Sequence, residues 1–253
     1  MRLPLYTATR YVQPLREGGS LPAVVETAEG GLFVAKFRGA GQGVKALLAE
    51  LIAGLLARAA ELPVPELALI DVLPEFGRTE PDPEIQDILR GSRGLNVGMR
   101  YLDGAFNFDV RAAGEFVPPE LGARIVWFDA FVTNPDRTAR NPNLLIWQRQ
   151  PWLIDHGAAL YVHHAWSNAD EARTTAPFSR IRDHVLLLHS GDVEAADAEM
   201  RRLLSGDIVD AVLAALPDAF LSDPLVAADF PSPDAARDRY RRYLTARLEA
   251  SRA

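Results

Sequence analysis

Between Val44 and Ala59 the apolar residues Val44, Leu47, Leu48, Leu51, Ile52, Leu55, Leu56 and Ala59 recur three and four apart. That spacing predicts a helix, and Pro63 and Pro65 close it. The chain before it alternates differently. Leu21–Thr27 and Leu32–Phe37 are short runs of β-branched and aromatic residues, and Glu29-Gly30-Gly31 between them is a hairpin turn signal. Leu67–Val72 and Leu95–Leu102 read as two further strands. Residues 74–93, rich in proline, glycine and charge, read as a loop with room for a short helix.

After Tyr101 the pattern changes. Glu120–Val132 has helical spacing. Asn143–Trp147 and Trp152–Ile154 are apolar runs either side of Gln148-Arg149-Gln150-Pro151, which predicts a hairpin. From about Phe178 the chain reads as helices. The last of them, Ser232–Ala253, is rich in arginine and is expected to pack through Tyr240, Tyr243 and Leu244. The expectation is an α+β protein. A sheet-and-helix part, residues 1–100, precedes a mainly helical part, residues 101–253, with the switch near Met99–Gly104.

Composition narrows the function. A chain of 253 residues, 48% hydrophobic and 24% charged, can bury a sizeable core without staples. Its 34 acidic against 27 basic residues leave a net charge of −7, which argues against non-specific binding to nucleic acid or anionic membrane. Cysteine is absent, so disulfides, thiolate metal sites and cysteine nucleophiles are excluded. The first residues lack the apolar stretch of a signal peptide, and no apolar run approaches the ~20 residues of a membrane span. A cytoplasmic protein is expected.

The chemistry concentrates in two segments. Asp136-Arg137-Thr138-Ala139-Arg140-Asn141 follows a predicted helix, and Leu153-Ile154-Asp155-His156-Gly157 follows the predicted hairpin. Magnesium takes hard oxygen ligands, often one or two carboxylates completed by substrate phosphates. An Asn141 carbonyl and an Asp155 carboxylate at the two ends of one hairpin can meet at one ion. Asp136 is then free to orient or deprotonate a hydroxyl. Asn-Pro-Asp and Asn-Pro-Asn are also ordinary turn formers.

Asp-Arg-x-x-x-Asn, a hairpin and Asp-x-Gly together resemble the catalytic core of the HipA-like kinases and, more distantly, of the phosphatidylinositol kinases. The resemblance runs over about residues 15–160. It implies a two-lobed protein-kinase-like fold, with an N-terminal antiparallel sheet and one long helix, and a mainly helical C-terminal lobe. It implies ATP and Mg²⁺ as cofactors, Asp136 as catalytic base, Asn141 and Asp155 as metal ligands, and a protein serine or threonine as acceptor. Thr138 stands where many relatives carry histidine.

Further residues fit this frame. In Phe33–Phe37, Lys36 shares a strand face with Val34, opposite Phe33, Ala35 and Phe37. Val34-Ala35-Lys36-Phe37 resembles the kinase strand whose lysine holds nucleotide phosphates. Glu50 lies off the Leu/Ile stripe among Ala46, Leu47, Ala53 and Gly54, and the kinase fold implies that it pairs with Lys36. Gly18 and Gly19, before the Leu21 strand, suit a phosphate-cradling loop. Ser20 is the nearest match to the loop serine that relatives autophosphorylate. Arg100, Tyr101 and Leu102 sit where backbone would meet a nucleotide base. His156 is expected to pack or hydrogen-bond. His163 and His164 have no companion ligand spacing and are assigned no role.

Two other functions stay open at this stage. One is a small-molecule kinase of the aminoglycoside-phosphotransferase type, although Asn134-Pro135-Asp136 replaces its usual His-Gly-Asp. The other is a nucleotide-binding pseudokinase scaffold, which the joint presence of Lys36, Asp136, Asn141 and Asp155 disfavours. The expected partners are ATP and a hydroxyl acceptor, protein or small molecule. The chain is expected to be a monomer.

Overall fold

The computed structural model describes residues 1–15, 21–41, 43–78 and 80–250. Five strands come first: β1 (Leu5–Pro14), β2 (Ala23–Thr27), β3 (Leu32–Lys36), β4 (Leu67–Val72) and β5 (Gly94–Arg100). Helix α1 (Gly43–Ala59) lies between β3 and β4, and α2 (Pro83–Gly91) between β4 and β5. The strands close into a barrel in the order β1-β2-β3-β5-β4. Its neighbours are antiparallel except β1 and β4, which run parallel from Leu5 opposite Leu69 to Thr7 opposite Asp71.

The expected antiparallel sheet is thus closed into a barrel through one parallel pair, and β1 is the element that the sequence pattern missed. Only Ala8 of its ten residues is buried, so no inward-outward alternation marks it. Elsewhere the alternation is plain. Ala23, Val25, Phe33, Ala35, Ala68 and Ile70 fill the barrel interior together with Ala8. Val34 and Lys36 face the other way.

Helix α1 is buried along nearly its whole circumference, from Val44 to Ala57. It packs against β4 and β5 on one side and against helices from the C-terminal part on another. A helix covered on several sides can be apolar all round. At Gly54 an added Cβ would stand 2.5 Å from a Leu67 methyl, which shows how closely the helix lies on β4.

The second part contains β6 (Phe106–Asn107), α3 (Ala113–Phe116), α4 (Pro119–Phe131), β7 (Leu144–Trp147), β8 (Gln150–Leu153), α5 (Glu171–Thr175), α6 (Val193–Leu203), α7 (Gly206–Ala214), α8 (Asp218–Leu221), α9 (Pro224–Ala227) and α10 (Pro233–Ala250). The β7–β8 hairpin turns at Gln148 and Arg149, both at positive φ, the geometry of a tight two-residue hairpin turn. In α10, Tyr240, Tyr243 and Leu244 are buried, and so is Arg247. Arg247 donates to the carbonyls of Ala130 and Phe131 at the C-terminal end of α4.

Two ion pairs tie α1 and the chain just after β3 to the residues flanking α9. Arg38 donates to Asp223 at 2.5 Å, and Lys45 to Asp229 at 2.8 Å. Among the described residues no helix is long and apolar enough to cross a membrane.

Candidate functional site

Lys36 ends β3 on the outward face, beside α1 and the chain that leaves β8. Its ammonium donates to Glu50 Oε2 at 2.6 Å and to Asp155 Oδ1 at 2.5 Å. Glu50 Oε2 also accepts the main-chain N–H of His156 at 2.8 Å. One carboxylate therefore fixes both the lysine and the backbone just after Asp155. Burial alone would raise the Glu50 carboxyl pKa, but the Lys36 ammonium and His156 override it and hold it at about 2. Burial alone would lower the Lys36 pKa, and the Glu50 and Asp155 carboxylates instead raise it. Lys36 and Glu50 are a charged pair at neutral pH, and Asp155 Oδ1 shares the same ammonium. His156 is fully buried, with Nδ1 3.5 Å from Glu50 Oε1.

The second cluster is the loop after α4. Asn141 Nδ2 and Asn143 Nδ2 both donate to Asp136 Oδ2, at 2.8 and 3.1 Å. Among the described residues Asp136 Oδ1 has no hydrogen-bond partner, so this oxygen can accept a proton from an incoming group. Asn143 was not singled out from the sequence, where Asn-Pro-Asn reads as a turn. It is buried at positive φ, and its carbonyl accepts from Arg137 Nη1 and from the Ile154 N–H. Asp155, at φ 54°, is left-handed as well, a conformation that Asn and Asp adopt most readily after glycine.

Asp129 on α4 organises this loop, and the sequence reading missed it. Its carboxylate accepts from Arg137 Nε at 2.6 Å, from Asn134 Nδ2 at 3.0 Å and from His184 Nε2 at 2.9 Å. His184 Nδ1 accepts the Leu186 N–H, so Nε2 carries the proton it donates. Asn134 Oδ1 in turn accepts the Asp136 N–H at 3.1 Å. Burial alone would raise the Asp129 pKa, but Arg137 and His184 hold it well below the usual carboxylate range. The signal available was a charged residue inside the apolar run Ile125-Val126-Trp127-Phe128-Asp129-Ala130-Phe131. Buried charge of that kind demands a partner.

The other expected positions lie as follows. Gly18, Gly19 and Ser20 fall outside the described residues. Arg100 pairs with Glu66 at 2.6 Å and lies over the Phe33 ring. The Arg100 and Tyr101 N–H groups are taken by the Glu66 and Leu32 carbonyls, and the Leu102 carbonyl by Ala105. Asn141 precedes β7 and Asp155 follows β8, both at the open end of the hairpin, one bonded to Asp136 and the other to Lys36. Their free atoms are hard oxygens, the donor type that magnesium prefers. Among the described residues no group of three or more His, Cys, Asp or Glu side chains could hold a metal. A cation at these two residues would need substrate oxygens to complete its shell. His163 is buried against the Tyr240 hydroxyl at 3.0 Å, which gives it a packing role.

Comparison with known proteins bears on this arrangement. The family described as HipA-like kinase matches residues 9–221 of the chain. The fold is similar to that of the Helicobacter pylori proinflammatory kinase CtkA, with a TM-score of 0.53 at 13% identity, covering 94% of this chain and 98% of that one. The golgi casein kinase gives a TM-score of 0.39 at 12% identity, over 98% of this chain and 72% of that one. None of the curated proteins matches the chain in sequence.

Proposed function

The chain belongs to the HipA-like kinase family, and we propose that it transfers the γ-phosphoryl group of ATP to a hydroxyl of a protein serine or threonine. The observation that carries this reading is the convergence at Lys36, which joins Glu50 to Asp155 in one ion cluster. In the proposed arrangement residues 1–100, the barrel with α1, form a nucleotide-binding lobe. Residues 101–253 form a second lobe with the catalytic loop.

Lys36 holds ATP phosphates, and Glu50 keeps its ammonium aimed. The main chain at Arg100–Leu102 borders the adenine, and Gly18, Gly19 and Ser20 belong to the phosphate-binding loop. Asn141 and Asp155 would hold Mg²⁺, which supplies positive charge against the phosphate oxygens when bound. Asp136 Oδ1 orients the acceptor hydroxyl and takes its proton. The acceptor oxygen forms a bond to the γ-phosphorus, the bond from that phosphorus to the β–γ bridging oxygen breaks, and ADP leaves. Asn141 and Asn143 hold the other oxygen of Asp136, which fixes the direction of the free one.

The test is phosphoryl transfer from γ-labelled ATP to a panel of serine and threonine peptides, with hydroxylated small molecules alongside. Label transfer to peptide that disappears in Asp136→Asn supports the reading. Transfer to small molecules alone would replace the acceptor class, and no transfer by the unaltered chain to any acceptor would reject it.

A further inference from the structure

Beside the catalytic loop, the chain between Tyr161 and Arg180 folds round a cavity of about 280 Å³. Thr133 and Pro135 wall it on one side, and Pro135 immediately precedes Asp136. Tyr243 on α10 supplies another wall, and Arg173 and Arg180 line the mouth. The lining contains two arginines and no carboxylate, although the whole chain carries a net charge of −7. Among the described residues neither guanidinium has a hydrogen-bond or ion-pair partner. Arg137, by contrast, pairs with Asp129, and Arg247 donates to the carbonyl of the lining residue Thr174.

The far end of this segment is tied to the catalytic loop. The Val185 N–H donates to the Arg137 carbonyl at 3.0 Å, and Thr138 bridges His184. The cavity is thereby held in register with Asp136. Tyr161, 68% exposed, and Phe178 add aromatic surface beside the charges.

We infer that this cavity is an acceptor subsite that takes an acidic side chain of a peptide, with Arg173 and Arg180 as its specificity determinants. The inference rests on Asp136 being the group that receives the acceptor hydroxyl. Guanidinium forks match carboxylates geometrically, and two unpaired forks without a competing acid select anionic over neutral groups. Aromatic walls beside them suit the aliphatic stem of a peptide residue better than a free small anion. Pro135 and Asp136 are one Cα step of about 3.8 Å apart, and an extended peptide advances about 3.3 Å per residue. The acid therefore belongs within a few residues of the hydroxyl.

The test measures binding and transfer separately. Fluorescence anisotropy compares a labelled serine peptide carrying Glu near the serine with the same peptide carrying Gln, on the unaltered chain and on the double variant Arg173→Gln, Arg180→Gln. Both side chains are exposed, so the variant is expected to fold, and circular dichroism checks that it does. The acidic peptide should bind about tenfold more tightly to the unaltered chain, and the double variant should lose that difference. Equal affinity for the two peptides, or a preference that survives in the double variant, would overturn the subsite. Inorganic phosphate binding as tightly as the acidic peptide would reduce it to an anion site. A phosphate located by peptide mass mapping on Ser167, Thr175 or Ser179 of the same segment, with loss of peptide binding, would make its occupant internal and also overturn it. Transfer from Mg-ATP without peptide selectivity rejects the subsite alone. Selective binding without any transfer rejects the kinase reading of Asp136 instead.

Discussion

Lys36 Nζ donates to Asp155 Oδ1 at 2.5 Å, across 119 residues of chain. The protein's own cation thus sits on the carboxylate proposed to hold magnesium. Magnesium alone must displace an ammonium, whereas Mg-ATP brings phosphates that the ammonium can move to. Isothermal titration is expected to show weak binding of MgCl₂ alone and clear binding of ATP with Mg²⁺. ATP affinity equal with Mg²⁺ and with chelator would reject Asn141 and Asp155 as ligands.

Lys36→Met should uncouple these effects. It frees Asp155 but leaves Glu50, 1% exposed, without its cation. Removing one partner of a buried pair costs about 3–5 kcal/mol, and each kcal/mol moves the melting point of a chain this size by about 2–4 °C. The variant is expected to melt earlier, to lose phosphoryl transfer and to bind Mg²⁺ alone more tightly. Lys36→Met with Glu50→Leu should recover much of the stability and none of the transfer. If the single variant melts unchanged, the pair contributes nothing to stability.

Asp136→Asn keeps the shape of the loop and removes the base. Losing a general base costs about 10²- to 10⁴-fold in rate. Ligand at about 100 times its dissociation constant adds roughly 2.7 kcal/mol, so the variant should keep a thermal shift of about 5–10 °C with Mg-ATP. Disappearance of that shift would make Asp136 a binding or folding residue.

The Asp129 cluster is buried throughout, with Asp129 and Arg137 both at 0% side-chain exposure. Asp129→Ala strands a buried guanidinium and is expected to cost about 3–5 kcal/mol. The double variant Asp129→Leu, Arg137→Met should cost less than the two single changes added together. Additive losses in urea unfolding would show that the two residues do not act as a pair.

How much of this was legible in sequence depends on how local each signal is. Asp136, Asn141 and Asp155 sit in two short stretches joined by a hairpin, so the roles proposed for them rest on residue types and spacings that are local in the sequence. Lys36 and Glu50 are marked by the strand phase of one and the small neighbours of the other. Asp129, Asn134, Asn143 and His184 were not visible as a group, because their meaning lies in contacts across up to 55 residues. Helix α1 was legible from its apolar spacing. Strand β1 was not, since its partners hold it by backbone hydrogen bonds and its side chains stay mostly outside the core.

Acid should weaken the fold in two stages. Burial pushes the His163 imidazole down from 6.5 to about 3, with His164 and Lys45 acting in the same direction. The folded state therefore favours neutral His163. That stability is fully present above about pH 6.5 and is lost as the pH falls towards 3, with a slope of at most about 1.4 kcal/mol per pH unit. Glu50, lowered from 4.5 to about 2, adds a loss of the same sign below about pH 4.5. Urea midpoints between pH 7.5 and 4.5 are expected to fall, and to fall less in His163→Gln. An unchanged slope in that variant would remove His163 as the cause.

The parallel seam between β1 and β4 sets a timetable for the newborn chain. Strand β1 leaves the ribosome well before β4, so one of its edges stays unpaired until residues 67–72 follow. The ring is complete only when β5 slots between β3 and β4, near residue 100. Pairings between distant stretches form slowly, and exposed strand edges attract other chains in the meantime. Slower elongation or chaperone capture while residues 1–100 are being made should therefore raise the yield of folded protein more than the same help given later.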